Sequence, residues 1–104
     1  MARTQHPLSL SLTKIAHGLG QRIELARCRR DLPATLFAER VGISRNTLTR
    51  LESGDPAVSL GTYLKALRVL GLERDIDGVA ADDTLGQKLM DAKALRSRGR
   101  ATGP

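Results

Sequence analysis

Leu36-Phe37-Ala38-Glu39-Arg40-Val41-Gly42-Ile43-Ser44-Arg45-Asn46-Thr47-Leu48-Thr49-Arg50-Leu51-Glu52-Ser53-Gly54 is the stretch that decides how this chain folds. It reads as two short helices joined by a tight turn at Val41-Gly42-Ile43-Ser44. Gly42 stands where the chain must reverse, because a left-handed backbone there costs glycine little. Ser44 is a good N-cap for the second of the two helices, over about Arg45 to Ser53. Leu48 and Leu51 face inward, with Ile43 packing from the turn, and Gly54 stops the helix. Arg45, Asn46, Thr49 and Arg50 occupy the side that the leucines leave free. Side chains of this kind on a short exposed helix offer hydrogen bonds to base edges in a major groove.

Working outward, Leu19, Ile23, Ala26 and Arg30 fall at helical spacing and predict a preceding helix from about Thr13 or His17 to Arg30. Gly18 and Gly20 weaken its start. Asp31-Leu32-Pro33 ends it and opens the next, because proline suits a first helical turn. That next helix covers about Pro33 to Val41, with Phe37, Ala38 and Val41 as its buried stripe. Downstream, Asp55-Pro56 makes a loop and Ser59 caps a helix over about Leu60 to Leu70. Its apolar stripe is Leu60, Leu64, Leu67 and Leu70, and Gly71 stops it. A short helix is expected over Glu73 to Ala80. Asp82-Asp83 is placed to cap another, about Thr84 to Leu95, with Leu85, Leu89 and Ala92 on one face. Residues 96–104 are rich in Arg, Ser and Gly and read as an unfolded basic tail.

Residues 1–16 read as a loose arm. Leu8, Leu10 and Leu12 alternate with Ser9, Ser11 and Thr13, a weak strand signal about five residues long. Such a strand would pair with a second copy of the chain; the plainer reading, preferred here, is a mobile terminus leading into a helix. There is no internal repeat. The fold class is all-α, with that single candidate strand.

Composition narrows the partners. The 104 residues carry a net charge of +6, which favours polyanions. Residues 1–54 hold nine Lys/Arg against four Asp/Glu, residues 55–92 four against seven, and residues 93–104 four against none. Positive charge thus sits with the turn-linked helices and with the extreme C-terminus, separated by an acidic segment that DNA would repel. One Tyr, one Phe and no Trp leave almost nothing to stack on unpaired bases, which favours duplex DNA over single-stranded RNA. The single cysteine excludes an intrachain disulfide and fits a reducing cytoplasm. No apolar run approaches a membrane span, and the first twenty residues lack a continuous apolar core of the secretory type. A cytoplasmic, nucleoid-associated bacterial protein is therefore expected.

The pattern resembles the helix-turn-helix family of phage repressors and xenobiotic-response regulators, the XRE or Cro/CI family. Leu32, Phe37-Ala38, Val41-Gly42-Ile43-Ser44, Thr47-Leu48, Arg50-Leu51-Glu52 and Gly54 carry the resemblance. Ser59-Leu60 and Leu64 through Leu67 to Gly71-Leu72 extend it, over about residues 18–72. It implies a lambda-repressor-like, five-helix DNA-binding domain at 17–72, a helical extension at 73–95 and flexible termini. It also implies that the third helix enters the major groove, mapping recognition onto Ser44, Arg45, Asn46, Thr47, Thr49 and Arg50. An arginine can clamp guanine and an asparagine adenine. Thr35 and the free amides at the start of the second helix are placed to hold phosphate. Arg27 and Glu52 occupy positions that pair in relatives, tying the first helix to the third. One departure stands out: Ala34 occupies a position where the family usually has a phosphate-binding glutamine that steadies the third helix.

Other chemistry is weighed and set aside. Arg22, Arg29 and Arg30 read as a solvated surface or as a basic face toward DNA. Cys28, between Arg27 and Arg29, reads as an ordinary helix residue before it reads as a redox switch. His6 and His17 have no partner at metal-ligand spacing, so no metal or other cofactor is assigned. Asp82 and Asp83 read as a helix cap rather than a catalytic pair. Neither a phosphate-cradling glycine loop nor a nucleophile–base set is visible, so an enzyme is not expected.

Three functions follow. The first is a sequence-specific transcriptional regulator, a repressor that binds a two-fold operator as a homodimer. Leu85, Leu89 and Met90 offer a surface for a partner subunit or another protein, and the arm around Leu8 to Leu12 is the rival dimerisation element. The second is an antitoxin. Gly54-Asp55-Pro56-Ala57-Val58-Ser59-Leu60-Gly61-Thr62-Tyr63, Leu70-Gly71-Leu72 and Asp83-Thr84-Leu85-Gly86-Gln87-Lys88-Leu89 resemble regulators encoded beside HipA-type kinase toxins. That resemblance implies a HipB-like protein that holds the kinase and controls its own operon. The third, a sensor of small molecules, is disfavoured because the chain after Leu72 is too short to enclose a sizeable pocket.

Overall fold

The computed structural model describes residues 7–101 and is helical throughout, with no strand among them. Five α-helices occur: α1 (Leu10–Arg29), α2 (Ala34–Val41), α3 (Arg45–Glu52), α4 (Leu60–Leu70) and α5 (Thr84–Ala101). A 3-10 segment, Glu73–Gly78, lies between α4 and α5. The chain divides into two compact units, Met1–Glu73 and Arg74–Pro104.

In the first unit α1 packs on α3 and α4, and α2 packs on the same two helices. The core is Ile23 and Ala26 from α1, Phe37, Ala38 and Val41 from α2, Leu48 and Leu51 from α3, and Tyr63, Ala66, Leu67 and Leu70 from α4, with Val58 from the preceding loop. Phe37, Ile23, Leu48 and Leu51 are the largest wholly buried side chains. Burial of each stabilises the fold by roughly 1.5–3 kcal/mol. Ser44 and Ser59 cap α3 and α4, their side chains accepting from the amides of Thr47 and Thr62. Gly42 takes the left-handed turn out of α2 at φ 85°.

The start of α1 corrects two expectations. It begins at Leu10, before Thr13 or His17, because the Ser9 hydroxyl accepts from the Leu12 amide at 3.2 Å and caps it there. The alternation at Leu8, Leu10 and Leu12 is therefore not a strand: Leu10 and Leu12 are in the first turn of α1 and Leu8 precedes its cap. A five-residue alternation is too short to outweigh a cap followed by good helix formers. Residues 1–6 of the expected arm lie outside the described residues. Gly20 does not weaken α1 but seats it. A side-chain carbon there would collide with the main chain of Leu51, Glu52 and Gly54. Gly54, at φ 77°, is pressed in turn against the backbone of Ala16 and His17.

A partly shielded ion pair joins the same two helices. Arg27 Nε donates to Glu52 Oε2 at 2.7 Å and Nη2 to Oε1 at 3.2 Å, while Nη1 donates to the Leu32 carbonyl at 2.9 Å. The hydrogen bond to Glu52 holds the Arg27 guanidinium above its ordinary pKa, against the opposing effect of desolvation.

The inner face of α4 is also corrected. Leu60, in the first turn, is 65% exposed, and Leu64 is half-buried. Tyr63 and Ala66 take the inward positions instead. Tyr63 can be buried because its hydroxyl donates to the Asp55 carbonyl at 2.8 Å.

Beyond Leu72 the expected helix over Glu73 to Ala80 is replaced by the six-residue 3-10 segment. Gly78 ends it, and Ala80 follows with φ 62°. In the second unit, α5 is capped by Asp83, whose Oδ1 accepts from the Gly86 amide at 2.9 Å. It continues past the expected end at Leu95 as far as Ala101, so the tail expected to be unfolded from Arg96 is helical up to that residue. Ala, Leu, Lys and Arg are strong helix formers, and cations suit a helix C-terminus. No described residue of this unit is buried.

Candidate nucleic-acid interface

The outward side of α3 is built by subtraction. With Leu48 and Leu51 fully enclosed, Arg45, Asn46, Thr49 and Arg50 are left exposed at spacings of one and four residues. The eight-residue helix is held at both ends. Ser44 caps its start, and its last turn is fixed by the Arg27–Glu52 pair and by the Gly20–Gly54 approach.

Each side chain on this surface has a defined setting. Arg45 Nη1 donates to the Thr35 hydroxyl at 2.9 Å, linking the first turn of α2 to the start of α3. Asn46 is exposed. The Ser44 hydroxyl accepts from the Thr47 amide at 3.0 Å and donates to Thr47 Oγ1 at 3.0 Å, so both residues serve the cap. Thr49 donates back to the Arg45 carbonyl at 3.0 Å. Arg50 Nε donates to Asp55 Oδ2 at 2.9 Å, with the two side chains 45% and 29% exposed. Asp55 Oδ1 accepts from the Ala57 amide at 2.8 Å. That backbone bond, then Arg50, hold the Asp55 carboxyl below its ordinary pKa.

Sequence reasoning placed Thr35 on phosphate and Arg50 on a base or phosphate, and missed that each has an intrachain partner. The missed residue of consequence is Asp55, read only as a loop former. Its spacing from Arg50 was visible, but a turn between them hides the contact from any periodic pattern.

Ala34 lies at the edge of a polar cleft of about 360 Å³ between the first three helices, lined also by His17, Gln21, Glu24, Arg45 and Thr49. Its methyl group makes no hydrogen bond, and the neighbouring Thr35 supplies the link to α3 instead. His17 is engaged through Nδ1 with the Ser53 carbonyl at 3.1 Å. Arg22 and Arg29 on α1 and Arg30 at its C-cap are exposed, and Arg30 Nη1 donates to the Ala26 carbonyl at 2.9 Å. Cys28 is exposed on the same helix. Among the described residues no group of His, Cys, Asp and Glu is arranged to hold a metal, and no helix is long and apolar enough to cross a membrane. His6 lies outside the described residues.

A family model described as helix-turn-helix matches residues 23–76, just over half of the chain and all of α2, α3 and α4. None of the curated proteins or solved structures compared with the chain matches it. The chain belongs to the XRE-type helix-turn-helix family of DNA-binding transcription regulators.

Proposed function

We propose that the protein is a transcriptional repressor that binds a two-fold operator as a homodimer and reads it with α3. The observation that carries this reading is the outward stripe of Arg45, Asn46, Thr49 and Arg50 over a fully buried Leu48 and Leu51. Arg45 contacts guanine and Asn46 adenine, each good bidentate pair giving about 1–3 kcal/mol of base discrimination. Thr49 and Arg50 act one turn further along. Ser44 and Thr47 fix the helix start, and Thr35 supports Arg45 beside the phosphates.

The second copy pairs through the second unit, where Leu85, Leu89, Met90 and Leu95 are all exposed. Those same residues favour a second reading, a HipB-like antitoxin that presents them to a HipA-type kinase. Co-purification of a kinase encoded by the adjacent gene, undiminished by Arg45→Ala, supports that reading.

The test of base reading uses a duplex enriched by the full-length protein from a random-sequence pool. Arg45→Ala weakens binding to that duplex by about 1–3 kcal/mol and leaves a shuffled duplex nearly unaffected. Equal losses on both duplexes would reduce Arg45 to a phosphate contact and remove the basis of the reading.

A further inference from the structure

We propose that Asp55 is a specificity-determining residue, which orients Arg50 for guanine and turns it away from phosphate. The inference rests on the base-reading function above.

The geometry of the pair distinguishes it from an ordinary surface salt bridge. Asp55 is held at four points. Its amide donates to the Arg50 carbonyl at 3.0 Å, its own carbonyl accepts from Tyr63, Oδ1 accepts from Ala57, and Oδ2 meets Arg50. Tyr63 is a core residue, so the main chain that carries this carboxylate is tied to the packed interior. It engages Arg50 only through Nε. Nη1 and Nη2, the fork that matches O6 and N7 of guanine, make no hydrogen bond among the described residues. A free arginine carries rotamer entropy, part of which must be given up when it binds. Here much of that loss is already taken in folding.

The same carboxylate discriminates by charge. A phosphate brought to Arg50 also approaches Asp55 and is repelled by it. A guanine edge is neutral and presents acceptors only. Arg50 is thereby biased toward the partner that carries sequence information and away from the one that does not.

Asp55→Asn keeps the shape and the carbonyl acceptor for Ala57 while removing the charge. Affinities of the full-length wild type and variant are measured on the enriched duplex and on a shuffled duplex of equal length. The specific-to-non-specific ratio is expected to fall about tenfold, with preference relaxed at one base pair. The salt dependence on the shuffled duplex is expected to steepen by about 0.9 in log–log slope, one added phosphate contact. A ratio and slope equal to wild type, with an unchanged melting temperature, would overturn the proposal. Should Asp55→Asn fail to fold, Asp55→Ser serves: it also removes the charge, the same fall in ratio and steeper slope are expected, and wild-type values of both refute the role. A wild type that enriches no sequence overturns base reading itself, whereas enrichment with an Asp55-independent ratio overturns only this inference.

Discussion

The two units of this chain contain helices of similar quality but are held in different ways. Among the described residues, every buried apolar one lies between Ile23 and Leu70, in the first unit. The second unit has an 18-residue helix, second in length only to α1 among the described residues, and no buried residue among those described. Sequence that favours helix and sequence that fixes a helix in place are thus separable. In α4, Tyr63, Ala66, Leu67 and Leu70 recur on one side and find a core. In α5, the leucines at 85, 89 and 95 and the methionine at 90 do not gather into one stripe, and all are exposed. An isolated helix of that length is marginal in water, which is why a partner surface is the natural reading of the second unit.

The contrast can be broken most forcefully at Phe37. Phe37→Ala is expected to destabilise the chain by about 3–5 kcal/mol in chemical denaturation, because the ring is wholly enclosed. Next comes Glu52→Gln, expected to cost about 1–3 kcal/mol, between the values for exposed and for buried pairs, as the side chains of Arg27 and Glu52 keep 12% and 8% exposure. Replacing both residues by apolar ones of similar volume is expected to recover most of that loss, which a denaturation midpoint would register.

A gentler probe is the single tyrosine in a chain without tryptophan. Burial pushes the Tyr63 hydroxyl above its ordinary 10.0, with a smaller push from Asp55. The native state therefore holds its proton where the unfolded state releases it. This contribution is complete below the unfolded value and is lost as pH rises through the folded one. Phenolate absorbance of the native protein is expected to titrate above the ordinary midpoint, and a normal midpoint would show the ring to be wet. The smallest effect is expected at Leu89. Leu89→Ala changes monomer stability by less than about 0.5 kcal/mol. A loss that grows with protein concentration would reveal that the residue is covered in an oligomer.

The first unit was the more legible one, and for local reasons. Ser44, Ser59, Gly42 and Gly71 announce helix ends through their own backbone and side-chain preferences, so α4 lies where its caps put it. The buried stripes of α2 and α3 follow from spacing alone. What was not legible depends on contacts distant in sequence. Gly20 looks like a weak point of α1 until Gly54 is brought against it. Leu60 belongs to the stripe by spacing yet lies beyond the core, while Tyr63 is inside because Asp55 satisfies its hydroxyl. At the candidate interface, residue types and the outward side of α3 were readable. The intrachain partners of Arg45 and Arg50 were not, because Thr35 and Asp55 reach them across turns.

The meeting of Gly20 with Gly54 carries a consequence for how such a protein changes over generations. Main chain rests on main chain there, so the height at which α3 rides owes nothing to its outward residues. Those residues are spare letters on a fixed type block. On the base-reading proposal, exchanging them would alter what is spelled out on the duplex and leave the melting point nearly where it was, so a new target vocabulary would be reached without first rebuilding the scaffold.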